Sequence, residues 1–322
     1  MDAAELRRIE EAAGRDDEAA EQPEGSHEPH EDAAGWSTED HYRLLSVPLL
    51  VRTMHPRFAE ALGWHLAPFR REEPGVGQGE VVDMWEREEG DEGFLDKGDE
   101  APRFVYFRDG QTRVASLSGL LSFAIWDVHA MVPKVAPDFL FLHAGAVERN
   151  GAASLVLAPM DAGKSTLTTA LLLEGFAYLS DELGAIDPVT TRAYPFEKRI
   201  ALDPEALAHF PGLEGHLEDA GPLSAGLRQR YVRPEDVGTT VGGPTPVGSV
   251  VFLGSDRSGP PRLTDVTRAE SVTRMVPHCF NLDRHAERGM VLLSRLAAGA
   301  GAYALEGGTP GERAALLAER LP

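Results

Sequence analysis

The strongest constraint on the fold is a short loop, residues 158–166 (APMDAGKST), that separates an apolar run from a helical pattern. Before the loop, FLFLHAGAVERNGAASLVLAP contains two apolar runs joined by Asn150-Gly151, which predicts a β-hairpin. After the loop, residues 165–174 have the apolar spacing of an amphipathic helix, Gly175 terminates it, and FAYLS predicts a further strand. Strands that alternate with a helix in this way predict an α/β domain.

The loop matches the phosphate-binding pattern GxxxxGK[ST], with Ala158 in the position of the first glycine. Gly163 lets the backbone approach phosphate oxygens, while successive N–H groups and the helix N-terminus attract the anion. Lys164 would contact the β- and γ-phosphates, Ser165 would bind Mg²⁺, and Thr166 would reach the α-phosphate. The predicted nucleotide-binding residues are Ala158, Pro159, Met160, Asp161, Ala162, Gly163, Lys164, Ser165 and Thr166.

Two further features predict chemistry at this loop. Asp181 and Glu182 end the strand FAYLS, where carboxylates could hold Mg²⁺ or take a proton from an attacking hydroxyl. The 17 residues from Lys164 to Asp181 accommodate one helix of about three turns and one returning strand, which brings the acids back to the phosphate end. His143 begins the preceding hairpin, where the pattern fits either a hydrogen-bonded core histidine or a site residue.

The order LHAGAV, hairpin, GKST, LLLEGF and LSDE resembles the HPr kinase/phosphorylase family, which shares its fold with ATP-type phosphoenolpyruvate carboxykinase. The resemblance covers residues 140–202 closely and the rest of the second region more loosely. The resemblance implies the P-loop fold of that family, which has a mixed sheet, and it implies ATP and Mg²⁺ as cofactors. It also implies that Lys164 binds phosphate, Ser165 binds Mg²⁺ and His143 lies beside the transferring group.

The same resemblance implies roles for the acidic pair. Glu182 stands where the family has its proton-accepting aspartate, and Asp181 matches the aspartate before it. Because glutamate is one methylene longer, the division between base and Mg²⁺ ligand stays open.

Weaker matches within the resemblance imply a metal-binding Glu197 and a phosphate-binding Arg199 in FEKRIAL, and a catalytic Arg257 in SDRSG. Within FEKRIAL, Lys198 is an alternative cation to Arg199. The family's Gly-rich segment, which is linked with the reverse phosphorolysis, does not follow Arg199, so a one-way kinase is expected.

The expected function is therefore ATP-dependent transfer of the γ-phosphoryl group to a serine or threonine of a peptide or small protein, in a biosynthetic pathway. One alternative is a kinase for a small-molecule hydroxyl. Another is a regulatory or scaffold protein that binds ATP without transferring phosphate, against which His143 and the two acids argue. Carboxykinase chemistry is a third alternative, for which the additional metal ligands and substrate-binding arginines cannot be placed.

Charge and composition exclude several classes of partner. The net charge is −21, and residues 1–40 hold 14 acidic and 3 basic side chains. Clustered Lys or Arg is needed to bind nucleic acid or an anionic membrane, so neither partner is expected. A single cysteine, Cys279, forms no disulfide framework, and the N-terminus carries no apolar signal segment. A cytoplasmic protein is predicted, and formation of a homo-oligomer is left open.

The sequence predicts three parts: a disordered acidic tail (1–38), a strand-rich region that binds substrate or acts as a lid (39–134), and the kinase domain (135–322). In the second part strands are predicted at VVDMW, RFVYF and TRVASL, the last two joined by Asp109-Gly110, and then a helix from Leu117 that closes at Pro133. Later predictions are a hairpin at 187–192, a strand VGSVVFLG, helices near 267–277 and 284–298, a strand AYAL and a helix from Pro310.

Overall fold

The structure is a computed structural model, which describes residues 36–72, 79–86, 104–108, 111–219, 223 and 227–322. The chain divides into two compact units. Among the described residues, the first, N-terminal unit comprises those up to Val135 together with Leu223, Leu227 and Arg228, and the second comprises Ala136–Asp219 and Gln229–Pro322. Of the tail predicted at 1–38, only the last three residues are described, and Thr38 among them begins a strand.

The N-terminal unit is a six-stranded sheet with two α-helices and a 3₁₀ turn at Ala67–Phe69 among its described residues. Its elements are β1 (Thr38–Leu44), β2 (Val47–Thr53), β3 (Arg70–Arg71), β4 (Glu80–Glu86), β5 (Phe104–Arg108), β6 (Gln111–Ala115), α1 (Pro56–Leu66) and α2 (Leu117–Val135). The strand order is β3-β1-β2-β4-β5-β6, in which β2 and β4 are parallel and the other neighbours are antiparallel.

The strands predicted at VVDMW, RFVYF and TRVASL are confirmed as β4, β5 and β6. The predicted turn at Asp109-Gly110 lies outside the described residues. The helix α2 continues through Pro133 to Val135, two residues beyond its predicted end. The hairpin β1–β2 was not predicted, because YRLLSVPLLVR is a single apolar run that a turn at Leu45, with φ of +55°, divides into two strands.

The C-terminal unit is a mixed α/β structure. Its strands are β7 (Leu140–Arg149), β8 (Ala152–Leu157), β9 (Ala177–Ser180), β10 (Leu183–Ile186), β11 (Arg192–Tyr194), β12 (Ile200–Leu202), β13 (Arg230–Val232), β14 (Thr245–Leu253), β15 (Arg262–Asp265) and β16 (Gly301–Glu306). Its helices are α3 (Lys164–Leu173), α4 (Pro204–Leu207), α5 (Arg268–Met275), α6 (Leu282–Gly299) and α7 (Pro310–Arg320), with 3₁₀ turns at Pro211–Asp219, Pro234–Val237 and Val276–His278.

Most of these strands form one sheet with the order β11-β10-β7-β8-β14-β16-β15, and β9 pairs with β7 beside β10. The predicted hairpin β7–β8 is confirmed, and Asn150 and Gly151 in its turn both have positive φ, +53° and +78°, as a type I′ turn requires. The predicted hairpin at 187–192 is confirmed as β10–β11. The predicted strands and helices after residue 245 are confirmed as β14, α5, α6, β16 and α7.

Helices cover both faces of this sheet. On one face lie α3, which begins within the 158–166 loop, and the C-terminal helix α7. Leu167 and Leu171 of α3 and Leu317 of α7 pack against Val147 and Val156 of the sheet. On the other face α5 and α6 cover Ala146 and Leu155. Because β8 is buried on both sides, its apolar run is continuous rather than alternating.

Three strands of the sheet, β8, β14 and β16, run parallel to one another. The loops that follow them therefore leave the sheet at the same edge, beginning at Ala158, Gly254 and Gly307. In α/β sheets ligands bind outside the carboxyl ends of parallel strands. The fold thus places the 158–166 loop at the edge where a binding site is expected.

Candidate functional site

The 158–166 loop places a cation at the N-terminus of a helix. Gly163, with φ of +92°, precedes the first residue of α3, and Asp161 also has positive φ, +58°. Lys164 is only 7% exposed, and its Nζ donates to the carbonyl oxygens of Ala158 and Pro159 at 3.0 Å each. The ammonium therefore lies within the curve of the loop, beside the backbone N–H groups that a helix N-terminus presents to an anion. Ser165 follows in the first helical turn and is partly exposed.

A close approach between α3 and β7 fixes this loop against the sheet. A Cβ atom added to Gly145 would lie 2.3 Å from Thr168 Oγ1, so only glycine permits the helix to pack here. His143 lies two residues earlier in β7 and hence points to the same face of the strand. The predicted histidine is therefore on the side of the sheet that α3 covers.

The predicted acidic pair lies in the short connection between β9 and β10, and its two members have different surroundings. Asp181 is 1% exposed: its Oδ1 lies 3.0 Å from both the Tyr178 hydroxyl and Lys198 Nζ, and its Oδ2 accepts the N–H of Ala201 at 3.3 Å. The side chain of Glu182 is 44% exposed, and its Oε2 lies 3.2 Å from Lys198 Nζ. Both oxygens of Asp181 are thus engaged within the protein, whereas Glu182 presents its carboxylate to the outside.

The strand register brings Glu182 next to His143. His143 pairs with Leu183 across β7 and β10, and the N–H of Ala144 donates to the carbonyl oxygen of Glu182 at 3.0 Å. Burial, and after it the positive charge of Lys164, lowers the pKa of His143 to about 3, although the Glu182 carboxylate acts in the opposite direction. His143 is therefore a neutral imidazole at neutral pH, close enough to sense both Lys164 and Glu182.

His278 belongs to the same neighbourhood and was missed in the sequence. Burial and the charge of Lys164 lower its pKa to about 4. The segment that follows it is fixed to β7, because the N–H of Phe280 donates to the Phe141 carbonyl at 2.9 Å and the Phe280 ring lies 5.3 Å from the His143 ring. No local motif surrounds His278, so only the tertiary fold reveals it.

Tyr231 is a second residue that the sequence did not indicate. It pairs with Ala201 across β12 and β13, and Ala201 is the residue whose N–H contacts Asp181. Burial raises the pKa of Tyr231 to about 12; the charge of Lys198 works against this increase, and the Glu182 and Asp181 carboxylates add to it. The small two-stranded sheet therefore forms one side of the acidic pair.

The predicted Arg257 lies against the loop. A Cβ atom added to Gly163 would be 3.5 Å from Arg257 Nη2. The loop that carries this arginine is tied down by Arg313, which is 4% exposed and donates to the carbonyl oxygens of Asp256 and Gly307. A second guanidinium thus supports the placement of the first.

The two remaining candidates flank Lys198. Burial lowers the pKa of Arg199, and its charged neighbours are Glu235, Arg233 and Asp236 of the 3₁₀ turn at Pro234–Val237. Glu197 is partly buried. Among the residues that the structure describes, no three His, Cys, Asp or Glu side chains are grouped to hold a metal, so Glu197 does not complete such a group with Asp181 and Glu182.

No protein-family model matches the chain, and no curated protein has a significantly similar sequence. In the described part of the chain, no helix combines the length and apolar character needed to cross a membrane.

Proposed function

We propose that this protein is an ATP- and Mg²⁺-dependent kinase of the HPr-kinase type, which transfers the γ-phosphoryl group to a hydroxyl. The observation that carries the proposal is the position of Glu182, an exposed carboxylate directly before β10. The first residue of β10, Leu183, pairs with His143, a neutral histidine that senses the charge of Lys164. A carboxylate and a phosphate-binding lysine that both act on the same histidine support phosphoryl transfer, since binding alone requires no base.

Phosphate binding rests on the 158–166 loop. The N–H groups at the start of α3 and the ammonium of Lys164 supply positive charge on one side of the nucleotide. The Arg257 guanidinium, which lies against Gly163, adds charge from the loop that follows β14. These groups stabilise the negative charge that develops on the transferring phosphoryl group and on the leaving ADP.

The donor atoms fit a single Mg²⁺ ion. Mg²⁺ is held by one or two carboxylates or hydroxyls together with nucleotide phosphates and water. The partly exposed Ser165 hydroxyl is an oxygen donor of this kind, whereas both Asp181 oxygens are engaged by protein groups and Glu182 is left to act on the acceptor. When bound, Mg²⁺ would neutralise phosphate charge.

Glu182 acts as the base, and Asp181 is structural. The acceptor oxygen attacks the γ-phosphorus and transfers its proton to the Glu182 carboxylate. The bond between the γ-phosphorus and the β,γ-bridging oxygen breaks, and its electron pair leaves with ADP. Neutral His143 orients the acceptor by hydrogen bonding, because an imidazole with a pKa of about 3 carries no charge at neutral pH.

The acceptor class follows from the exposure of the base. Since 44% of the Glu182 side chain is exposed, an acceptor hydroxyl does not have to enter a closed cavity. This favours a serine or threonine of a peptide or small protein over a small-molecule hydroxyl. Glu182 and His143 likewise disfavour a scaffold that binds ATP without turning it over.

The test is to incubate the protein with γ-labelled ATP and the products of neighbouring genes, and to identify by mass spectrometry any species that gains one phosphate. Lys164→Ala should abolish both ATP binding and transfer, whereas Lys134→Ala, at an exposed lysine of α2, should leave both unchanged. ATP binding by the wild-type protein without phosphate transfer to any candidate would support the scaffold alternative and refute the kinase.

A further inference from the structure

We propose that Lys198 is the resident cation of the acidic pair: it occupies the place between Asp181 and Glu182 that a divalent ion would otherwise take, and it positions Glu182. The positioning role rests on the proposed kinase function. The exclusion of a divalent ion from the pair does not, because it concerns only these three side chains.

Lys198 contacts both members of the acidic pair. Lys198 Nζ lies 3.0 Å from Asp181 Oδ1 and 3.2 Å from Glu182 Oε2, so one ammonium bridges the two carboxylates. An ammonium group has three hydrogens to donate and can satisfy both acceptors at once. Two carboxylates on adjacent residues that share one cation are also the arrangement expected around a bound metal ion.

The backbone on both sides of Lys198 fixes this position. The N–H of Phe196 donates to the Leu179 carbonyl at 2.8 Å, and the N–H of Lys198 donates to the Phe196 carbonyl at 2.8 Å. The Tyr178 hydroxyl lies 3.0 Å from the Lys198 carbonyl oxygen. Strand β9 therefore anchors the segment that delivers the ammonium, and Lys198 itself is 4% exposed.

The charge state of Lys198 agrees with this role. Burial alone would lower its pKa, but the charges of Asp181 and Glu182 outweigh burial and raise it above its ordinary value. The two carboxylates, at 3.0 and 3.2 Å from Nζ, thus favour the ammonium form of Lys198 at this position. One positive charge against two negative charges leaves Glu182 able to accept a proton, which a bound divalent ion would oppose.

A direct consequence concerns metal stoichiometry. With Lys198 in place, the acidic pair does not bind a divalent ion by itself, and the metal requirement of the protein is that of the nucleotide. Removing the ammonium leaves two unneutralised carboxylates side by side, which are donors for a divalent ion.

The experiment measures Mn²⁺ binding to the nucleotide-free protein by electron paramagnetic resonance. Wild type should bind no Mn²⁺ at the pair. Lys198→Ala should gain one site per chain, at least about tenfold tighter than any wild-type binding, and Asp181→Asn in the Lys198→Ala background should remove it. Lys198→Arg, which keeps a cation, should behave like wild type, and so should Lys134→Ala.

Lys198→Gln provides a second route if Lys198→Ala does not fold, because glutamine keeps most of the side-chain volume and can still donate to Asp181. It too should gain one Mn²⁺ site. The proposal would be overturned if wild type bound one Mn²⁺ without nucleotide and Asp181→Asn removed it, or if neither lysine variant gained a site.

The two proposals can fail separately. Mn²⁺ binding uses neither acceptor nor turnover, so a protein that transfers no phosphate can still confirm the role of Lys198. Conversely, Mn²⁺ at the wild-type pair would overturn the role of Lys198, while labelled phosphate transferred to an acceptor would still support the kinase proposal. If both proposals hold, Lys198→Ala should lower the rate of transfer while ATP affinity remains unchanged, and Lys198→Arg should restore part of the rate.

Discussion

Each unit contains a buried aspartate held by a tyrosine hydroxyl and a cation, and the two arrangements differ in what they leave exposed. In the N-terminal unit the Tyr106 hydroxyl donates to Asp127 at 2.7 Å, and Arg108 pairs with the same carboxylate. In the C-terminal unit the Tyr178 hydroxyl lies 3.0 Å from Asp181, which pairs with Lys198.

The difference lies in the cation. Arg108 donates to both oxygens of Asp127, through Nε and through Nη2, the latter at 2.7 Å, and this planar two-point contact closes the arrangement. Lys198 carries a point charge that contacts one oxygen of Asp181 and extends to Glu182, whose side chain is 44% exposed. Arginine thus produces a sealed structural pair, whose further contact with Glu80 is longer, at 3.4 Å, and 27% exposed on the Glu80 side, whereas lysine produces an open pair that presents the Glu182 carboxylate.

The largest effect on stability is expected in the sealed pair. Asp127→Asn removes the charge that Arg108 contacts through two nitrogens, leaves Glu80 at 3.4 Å as its remaining carboxylate contact, and should lower the free energy of unfolding by about 3–5 kcal/mol. Urea denaturation followed by tryptophan fluorescence measures this unit, because all four tryptophans precede Val135. Asp138→Asn, at an exposed position, is the control. A cost below about 1 kcal/mol would show that the pair is not structural.

A smaller effect is expected in the open pair. Asp181→Asn should cost about 2–3 kcal/mol, since Lys198 keeps its contact with Glu182 and the asparagine oxygen can still accept a hydrogen bond. Far-UV circular dichroism follows both units, so the part of its transition that tryptophan fluorescence does not show reports on this unit. The comparison breaks down if Asp181→Asn costs as much as Asp127→Asn.

The open site should also make stability depend on pH. His143 and His278 have pKa values lowered to about 3 and about 4, so the unfolded chain binds protons below about pH 6.5 that the folded chain does not. Stability should therefore fall as pH decreases from 6.5, by at most about 2 kcal/mol per histidine at pH 5. The double variant His143→Gln, His278→Gln should flatten this dependence, and an unchanged slope would contradict the burial of these rings.

The smallest effect separates the two tyrosines. Tyr106→Phe and Tyr178→Phe each remove one hydrogen bond to a buried carboxylate and should each cost about 1.5 kcal/mol. Only Tyr178→Phe should also lower phosphoryl transfer, severalfold, because Asp181 shares Lys198 with Glu182. Equal rates of phosphoryl transfer in both variants would show that the contacts of Asp181 influence the reaction no more than those of Asp127.

Much of the C-terminal unit could be predicted from local patterns. Asn150-Gly151 fixes the hairpin, the GKST segment fixes the start of α3, and the distance from Lys164 to Asp181 leaves room for little else. These signals are short in range, so the sequence displays them directly. The N-terminal hairpin β1–β2 could not be predicted because its turn contains no Gly, Pro or Asn.

The division of labour within the acidic pair could not be predicted. Adjacent carboxylates look alike in a sequence, and what distinguishes them is the contact of Asp181 with Tyr178, Lys198 and Ala201. Those contacts depend on the path of the chain after β11 and on the pairing of β12 with β13. The same long-range pairing brings Tyr231 to the site, as the attachment of Phe280 to β7 brings His278.

The measurement that tests the central claim most directly is the rate of phosphoryl transfer by Glu182→Gln, together with its affinity for ATP. The account predicts a loss in rate of about 100-fold or more with ATP affinity essentially unchanged. The control is Glu174→Gln, at an exposed position at the end of α3, and should match wild type in both. Transfer by Glu182→Gln at the wild-type rate would contradict the assignment of Glu182 as the base.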